Sequence, residues 1–516
     1  MAKKIRPVRG TPAESQRLRA HAQQLMILKR HDVAEEVLRQ ILAIEPNDPK
    51  VNRQLGTCLV MLRRLDEAFE QAKIAVSLDP LSEVGLSLLA AIHSDLGHHK
   101  EAAATYEQAL ASKADYVPAI AGLAHAMAVK AKWIPALEWT EKGLALKPDH
   151  VGMLRTRGEA LAALKRKDEA LAVMQQFLRL APDDVRSQTI ASAILRRLEE
   201  TTEATEFAQR AMQMNPADPY LHNSLAQLKL KERNFEEAGR HFKEAAEIYD
   251  SRREGQKGPK EIEIKSLLGQ AALNLRNRQL QLAEAQYRRI LEINPEHSSA
   301  SALLAAAIGA QYRFDEALPM ARAAAEKWPK LLIPRLMFPA ILSEMERHEE
   351  AIDEITVAFE LNPNSAELHR LLAAVYIDLE DYVKAFEIVE KGLAIKEEPI
   401  IKRKLAVTLA GLGRREESIS VIEAALREDP DYYVSQGLTG YTYYLLKDYE
   451  RAESHYRRAM ELDASGLGCH GKLGLVYFDQ GRIAEARPLL EKSIALNPYQ
   501  RRVRAALAEI ASESGL

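Results

Sequence analysis

Residues 51–80 read VNRQLGTCLVMLRRLDEAFEQAKIAVSLDP, and this stretch decides the fold. Leu55, Gly56 and Leu59 share one face of a helix, Arg63 to Leu65 make a turn, and a second helix carries Ala68, Ala72 and Ala75 until Pro80 stops it. Outward from there the unit repeats every 34 residues. Pro46, Pro80, Pro148, Pro182 and Pro216 keep one register, and Pro295, Pro329, Pro363, Pro430 and Pro498 continue it. An alanine keeps the same step twelve positions ahead of that register, from Ala34 and Ala68 to Ala452 and Ala486. No single globular core imposes such a register. One helical hairpin has been copied many times, and an array of that kind builds an extended surface rather than an active site.

Small residues recur where the two helices of a hairpin must touch: Ala22, Gly56, Ala90, Gly158, Ala226, Ala305, Gly440 and Gly474 on the first helix, and the alanine ladder on the second. Asp and Asn beside the prolines, as in Asn215-Pro216-Ala217-Asp218, suit a helix stop followed by the next N-cap. Ala114, Asp250, Glu397 and Ala464 replace the proline, so a turn is expected there without it. Pro339 falls at the small-residue position inside a first helix, where proline costs about 3 kcal/mol and a kink is expected.

The pattern L-G-x-x-Y … A-x-x-x-F … A … P is carried by Leu473-Gly474-x-x-Tyr477 with Ala486 and Pro498, and by Gly440-x-x-Tyr443 with Ala452, Tyr456 and Ala459. It resembles the tetratricopeptide repeat family. The resemblance implies an all-α, right-handed superhelical solenoid of about fourteen antiparallel helix pairs plus a C-terminal capping helix. The expected organisation is a basic N-terminal tail (1–14), seven units (15–252), an insert (253–263), seven more units (264–498) and the capping helix (499–516). The insert carries Gly255, Gly258 and Pro259 and reads as an exposed, protease-sensitive hinge.

The bulk properties exclude several classes. A net charge of −3 over 516 residues gives no global steering toward nucleic acid or membrane, although Lys3, Lys4, Arg6 and Arg9 make the first residues basic. No run of eighteen apolar residues and no apolar stretch behind the basic start is present, so neither a membrane span nor a signal peptide is expected. Cys58 and Cys469 match no disulfide or metal spacing and fit a reducing, cytoplasmic setting. The fourteen histidines show no H-E-x-x-H motif and no pairing with cysteine, so no metal ligands and no cofactor are expected. Residues 466–471, GLGCHG, match G-x-G-x-x-G, but no strand precedes them and they read as a turn between units. Without a nucleophile elbow or a phosphate-binding loop, the chain reads as non-enzymatic.

The groove is the expected site. The resemblance implies that positions 2, 5, 9 and 12 of each first helix face a ligand. Read this way, the partner-binding residues are Arg19, Gln23 and Arg53 near the start, Arg155, Glu159, Asn223 and Gln227 in the middle, and an aromatic shelf of Tyr441, Tyr444 and Phe478 near the end. Tyr443 and Tyr477, one position earlier than Tyr444 and Phe478, are assigned to the core. The expected role is a scaffold or adaptor that binds an extended peptide or a protein, with self-association as a further mode. The alternative is a recognition subunit serving a separate glycosyl- or sulfotransferase.

Overall fold

The computed structural model describes residues 12–182, 184–251, 260–463, 465 and 469–513. Among the described residues there are 29 helices and no strand. They pack as consecutive pairs, fourteen hairpins followed by one last helix, Arg501–Glu513. The chain divides into two compact units, Met1–Gly258 and Pro259–Leu516. The first unit runs from hairpin one (Pro12–Ile27 and His31–Ile44) to hairpin seven (Pro219–Lys231 and Phe235–Ser251). The second runs from hairpin eight (Lys260–Arg276 and Leu280–Ile293) to hairpin fourteen (His470–Asp479 and Ile483–Leu496).

Many first helices start on a local signal. Asp48 accepts from the backbone N–H of Lys50 at 2.7 Å and of Val51 at 3.1 Å, with Pro49 in the first helical position. Asp184, Asp218, Ser82 and Ser365 cap their helices in the same way, and the imidazoles of His150 and His297 stand in for a carboxylate. Each first helix also stops alike. Arg63 takes φ +62°, its N–H reaches the Val60 carbonyl at 3.0 Å, and the Arg64 N–H reaches the Leu59 carbonyl at 2.9 Å. This Schellman arrangement recurs with one left-handed residue in every hairpin, from Lys29 to Gly481. Only three of those residues, Gly97, Gly413 and Gly481, are glycine.

The alanine ladder is the seam of the core. Ala34, Ala68, Ala102, Ala170, Ala283, Ala385 and Ala486 are each 0% exposed. In hairpin twelve (Pro399–Gly411 and Arg415–Glu428) Ser418 takes the ladder position, and its hydroxyl donates to the Ala406 carbonyl at 2.7 Å, so the buried oxygen is satisfied. A second recurring device ties five of the proline stops to the helix that follows. The side chains of Gln188 and Gln436 donate to the carbonyls of Pro182 and Pro430 at 2.6 Å, Arg335 to Pro329 at 3.2 Å, and Asn52 to Pro46 at 3.4 Å. His222 occupies the same position, with its Nε2 3.0 Å from the Pro216 carbonyl.

Several expectations are corrected. The first helix starts at Pro12, inside the stretch expected as tail, because Pro12 suits a helical first turn. Hairpin eight starts at Lys260, so the last residues assigned to the insert are helical; residues 252–259 lie outside the described residues. No turn forms at Asp250, because the second helix of hairpin seven runs on to Ser251. Pro339 lies buried within the helix Leu332–Glu344, at the position where a kink is expected. The basic residues 1–11 and Gly466–Gly468 of the glycine motif also lie outside the described residues. The last helix buries Val503, Ala506 and Ile510 against hairpin fourteen, and no described helix is long and apolar enough to cross a membrane.

Candidate functional site

The second unit closes on itself through side chains far apart in sequence. Arg276 donates to Asp429 at 2.6 Å while its guanidinium lies 4.1 Å from the centre of the Tyr432 ring. Arg278 donates to Asp463 at 3.2 Å and lies over Tyr433 at 5.1 Å. At the other end, Glu346 accepts from the Arg501 N–H at 3.0 Å, Arg502 reaches Glu380 at 3.4 Å, and Tyr499 meets Phe314 edge-on at 5.6 Å. Arg278, Glu346 and Glu380 are left-handed turn residues, so the strained positions of hairpins eight, ten and eleven also make the closure. A glycine there would relieve the strain and lose the bridge.

Beside this closure, charged side chains of four hairpins influence one another electrostatically across a shared space, the lumen of the unit. Glu344 and Asp378 end the first helices of hairpins ten (Leu332–Glu344 and His348–Leu361) and eleven (Ala366–Asp378 and Tyr382–Ile395). Lys404 lies on the first helix of hairpin twelve and Lys472 on that of hairpin fourteen. Glu344, Asp378 and Lys472 reach water, and Lys404 is half-buried. Yet the surrounding protein desolvates Glu344, Asp378 and Lys404, as happens inside a concave wall rather than on a convex one. This pushes the Glu344 and Asp378 carboxyls up, with the neighbouring Asp378 charge adding to the effect on Glu344. Desolvation, assisted by Arg370, pushes the Lys404 amine down to about 8. Among the described residues none of these four groups closes an ion pair, although the carboxylates and amines are near enough to feel one another.

The expected aromatic shelf borders this lumen but is not a free surface. Tyr444 is only 7% exposed, which corrects its assignment as an open groove residue. Its hydroxyl donates to Asp479 at 2.5 Å and accepts from Arg502 at 2.8 Å, so the last helix covers it. Tyr441 is half-buried, stacks on Tyr444 with ring centres 6.2 Å apart, and carries the Lys472 ammonium over its face at 5.3 Å. Phe478 is half-buried against the hydrophobic cluster of the last hairpins. Tyr443 and Tyr477 are buried, as assigned.

In the first unit Arg19 is held by Glu45 and by Asp48 at 2.6 Å, Gln23 is exposed and Arg53 is half-buried. Arg155 and Glu159 stand 4.0 Å apart, and burial pushes the Glu159 carboxyl up against the pull of Arg155 and Arg197. Gln227 is half-buried and accepts from Arg196, whereas Asn223 is buried, which corrects its place on the groove surface. Cys58 is fully buried and its thiol is pushed up to about 11 by desolvation, which leaves it unreactive.

Comparison with known proteins agrees with this geometry. Profiles described as tetratricopeptide repeat match residues 86–116, 135–185, 403–466 and 443–510. The chain is an all-helical repeat protein whose matched stretches are tetratricopeptide repeats. This repeat protein is similar to the DnaJ protein P58IPK homolog A of Oryza sativa subsp. japonica, 27% identical over 32% of the chain and 37% of the rice protein. It is also similar to the human protein O-mannosyl-transferase TMTC1, 25% identical over 35% of the chain and 21% of that protein. The chain thus spans only about a third and a fifth of the lengths of these two relatives. The crystal structure of the APC/C hetero-tetramer Cut9-Hcn1 shares its fold, with a TM-score of 0.54 and 14% identity, covering 96% of both chains.

The lumen charges escaped the sequence reading for a geometric reason. Counted from the small residue at position 8, Lys404 and Lys472 are position 6, and Glu344 and Asp378 position 13. At about 100° per residue these lie roughly 20–60° around the helix from positions 2 and 9, so the expected face was drawn too narrow. The closing bridges had no local signal, since Arg278 and Asp463 are 185 residues apart.

Proposed function

We propose that this repeat protein is a non-catalytic interaction scaffold whose second unit holds an extended polypeptide in its lumen. The observation that carries the reading is the set of four charged side chains, Glu344, Asp378, Lys404 and Lys472, facing a protein-lined space with no ion-pair partner among the described residues. Desolvated charge without a partner costs free energy, and a partner's backbone and side chains of both signs recover it. Tyr441 and Phe478 add half-buried aromatic surface beside these charges, and Gln23, Arg53, Arg155 and Glu159 offer polar contacts in the first unit.

The test is positional. A photo-crosslinking residue placed at 344, 378 or 472 should trap a bound polypeptide, and one at the exposed Lys391 position of a second helix should not. Equal trapping from all four places, or trapping from position 391 alone, would reject the lumen as the site.

A further inference from the structure

Three side chains of hairpin seven converge in a way that no other hairpin reproduces among the described residues. His222 comes from the first helix, and His241 and Glu244 from the second. His222 Nδ1 lies 3.1 Å from His241 Nδ1 and 3.0 Å from Glu244 Oε2, and His241 Nδ1 lies 3.3 Å from the same oxygen. His222 is buried, His241 retains a fifth of its side-chain surface, and Glu244 retains 39%.

The tautomer of His222 is fixed by the fold. Its Nε2 faces the Pro216 carbonyl at 3.0 Å, and a carbonyl only accepts. In four other hairpins this position holds Asn52, Gln188, Arg335 or Gln436, each donating an N–H to the equivalent proline carbonyl. Nε2 of His222 therefore carries the proton, and Nδ1 presents a lone pair to His241 and Glu244. A hydrogen-bonded far nitrogen is also how proteins orient an imidazole that ligates metal.

The equivalent contacts elsewhere are complementary. Arg335 donates to Glu354 at 3.2 Å, and His455 Nδ1 meets the Gln436 amide oxygen at 2.7 Å. In hairpin seven one proton on His241 Nδ1 serves its own two contacts. It leaves the His222 lone pair and the Glu244 carboxylate facing each other at 3.0 Å with nothing between them. A divalent cation satisfies all three atoms together.

We infer that His222 Nδ1, His241 Nδ1 and Glu244 Oε2 form a binding site for a zinc-like divalent transition metal, pinning the two helices of hairpin seven. Metal–nitrogen and metal–oxygen bonds of about 2.0–2.2 Å in tetrahedral geometry place neighbouring ligand atoms ~3.3 Å apart, close to the spacing found here. Three protein ligands leave the fourth position for water, on the side where Glu244 meets solvent. Two imidazoles and one carboxylate suit zinc better than calcium or magnesium, which take oxygen ligands. The sequence reading excluded metal because the two histidines stand nineteen positions apart on different helices, which matches no linear motif.

The test uses the full, untagged chain freed of metal by a chelator and titrated with Zn²⁺ alone. The wild type should bind one Zn²⁺ that His222→Gln and Glu244→Gln bind at least about 100-fold more weakly, and Zn²⁺ should raise its unfolding midpoint but not theirs. His222→Gln keeps the donor to the Pro216 carbonyl, as Gln188 and Gln436 do in their hairpins, so a loss of binding is not a loss of fold. Should His222→Gln fail to fold, Glu244→Gln decides, since that side chain reaches water and its replacement keeps its size. Equal zinc binding by the wild type and Glu244→Gln, or none by the wild type, overturns the site.

Discussion

At the scale of single residues, the turn inside each hairpin shows how much backbone cost this fold accepts. An L-residue in the left-handed region costs about 1–2 kcal/mol relative to its ordinary conformations. Eleven hairpins carry that cost on residues such as Lys29, Ala131 and Lys447. Gly97 avoids it at φ +81°, and a Cβ added there would meet no atom within 4 Å. Gly97→Ala therefore isolates backbone strain from packing. It is expected to destabilise by about 1 kcal/mol, and Ala131→Gly, at φ +55°, should gain somewhat less because glycine loses more entropy on folding. Urea unfolding read by hydrogen exchange in hairpins three (Glu83–Asp95 and His99–Ser112) and four (Val117–Val129 and Trp133–Leu146) would measure both. Unchanged protection in both variants would mean that the turn is not strained.

At the scale of elements, the lumen helices place a lysine where its charge is disfavoured. Lys404 loses its proton near pH 8 in the folded chain, against about 10.4 for a free lysine side chain. Between those values the unfolded chain binds more protons, so the penalty is full below pH 8 and is relieved as pH rises toward 10.4. Stability should rise across that window, and Lys404→Met should flatten the rise. About half of Lys404 is neutral amine at pH 8, so an acylating ester at that pH should label it ahead of the exposed Lys391 and Lys447. Peptide mapping that finds Lys404 labelled last would remove it from the lumen wall.

Much of this scale was legible in the chain itself. The starts expected at Pro49, Glu83, Val117, Val151, Val185 and Pro219 are the observed first residues of their helices, because caps and prolines are local signals. Start sites at Ser15 and Ile264 were missed where no cap marks the boundary. The buried ladder was also visible, since a small side chain held at one fixed spacing marks the line along which two helices touch. Which face meets a ligand was not, because Tyr444 looks like an open groove residue until Arg502 and Asp479 are found closing over it.

At the scale of the whole molecule, the register of 34 residues describes a chain of like parts, and helix packing in both units is confined to close neighbours in sequence. In the first unit the ion pairs between repeats, such as Arg64–Glu35 and Lys165–Glu199, likewise join adjacent hairpins. The second unit adds bonds spanning 122 to 185 positions. Nothing in a repeat pattern foretells those bonds, because they depend on how many units complete a turn and not on what each unit is.

Those long bonds matter when the chain is pulled. A linear stack of hairpins held by nearest-neighbour contacts peels from an end, one unit after another, in steps of similar height. A stack laced back to its own beginning cannot shed its last hairpin until the lacing at Arg276, Arg278 and Arg501 gives way. Stretched between its ends in an optical trap, the second unit should hold to a higher load and then yield in one large extension, and the first should lengthen as a staircase. Arg276→Ala with Arg278→Ala should turn the single rupture into a staircase as well. A tether that tears abruptly is a mechanical fuse, and one that unreels is a shock absorber; one repeated sequence is expected to supply both.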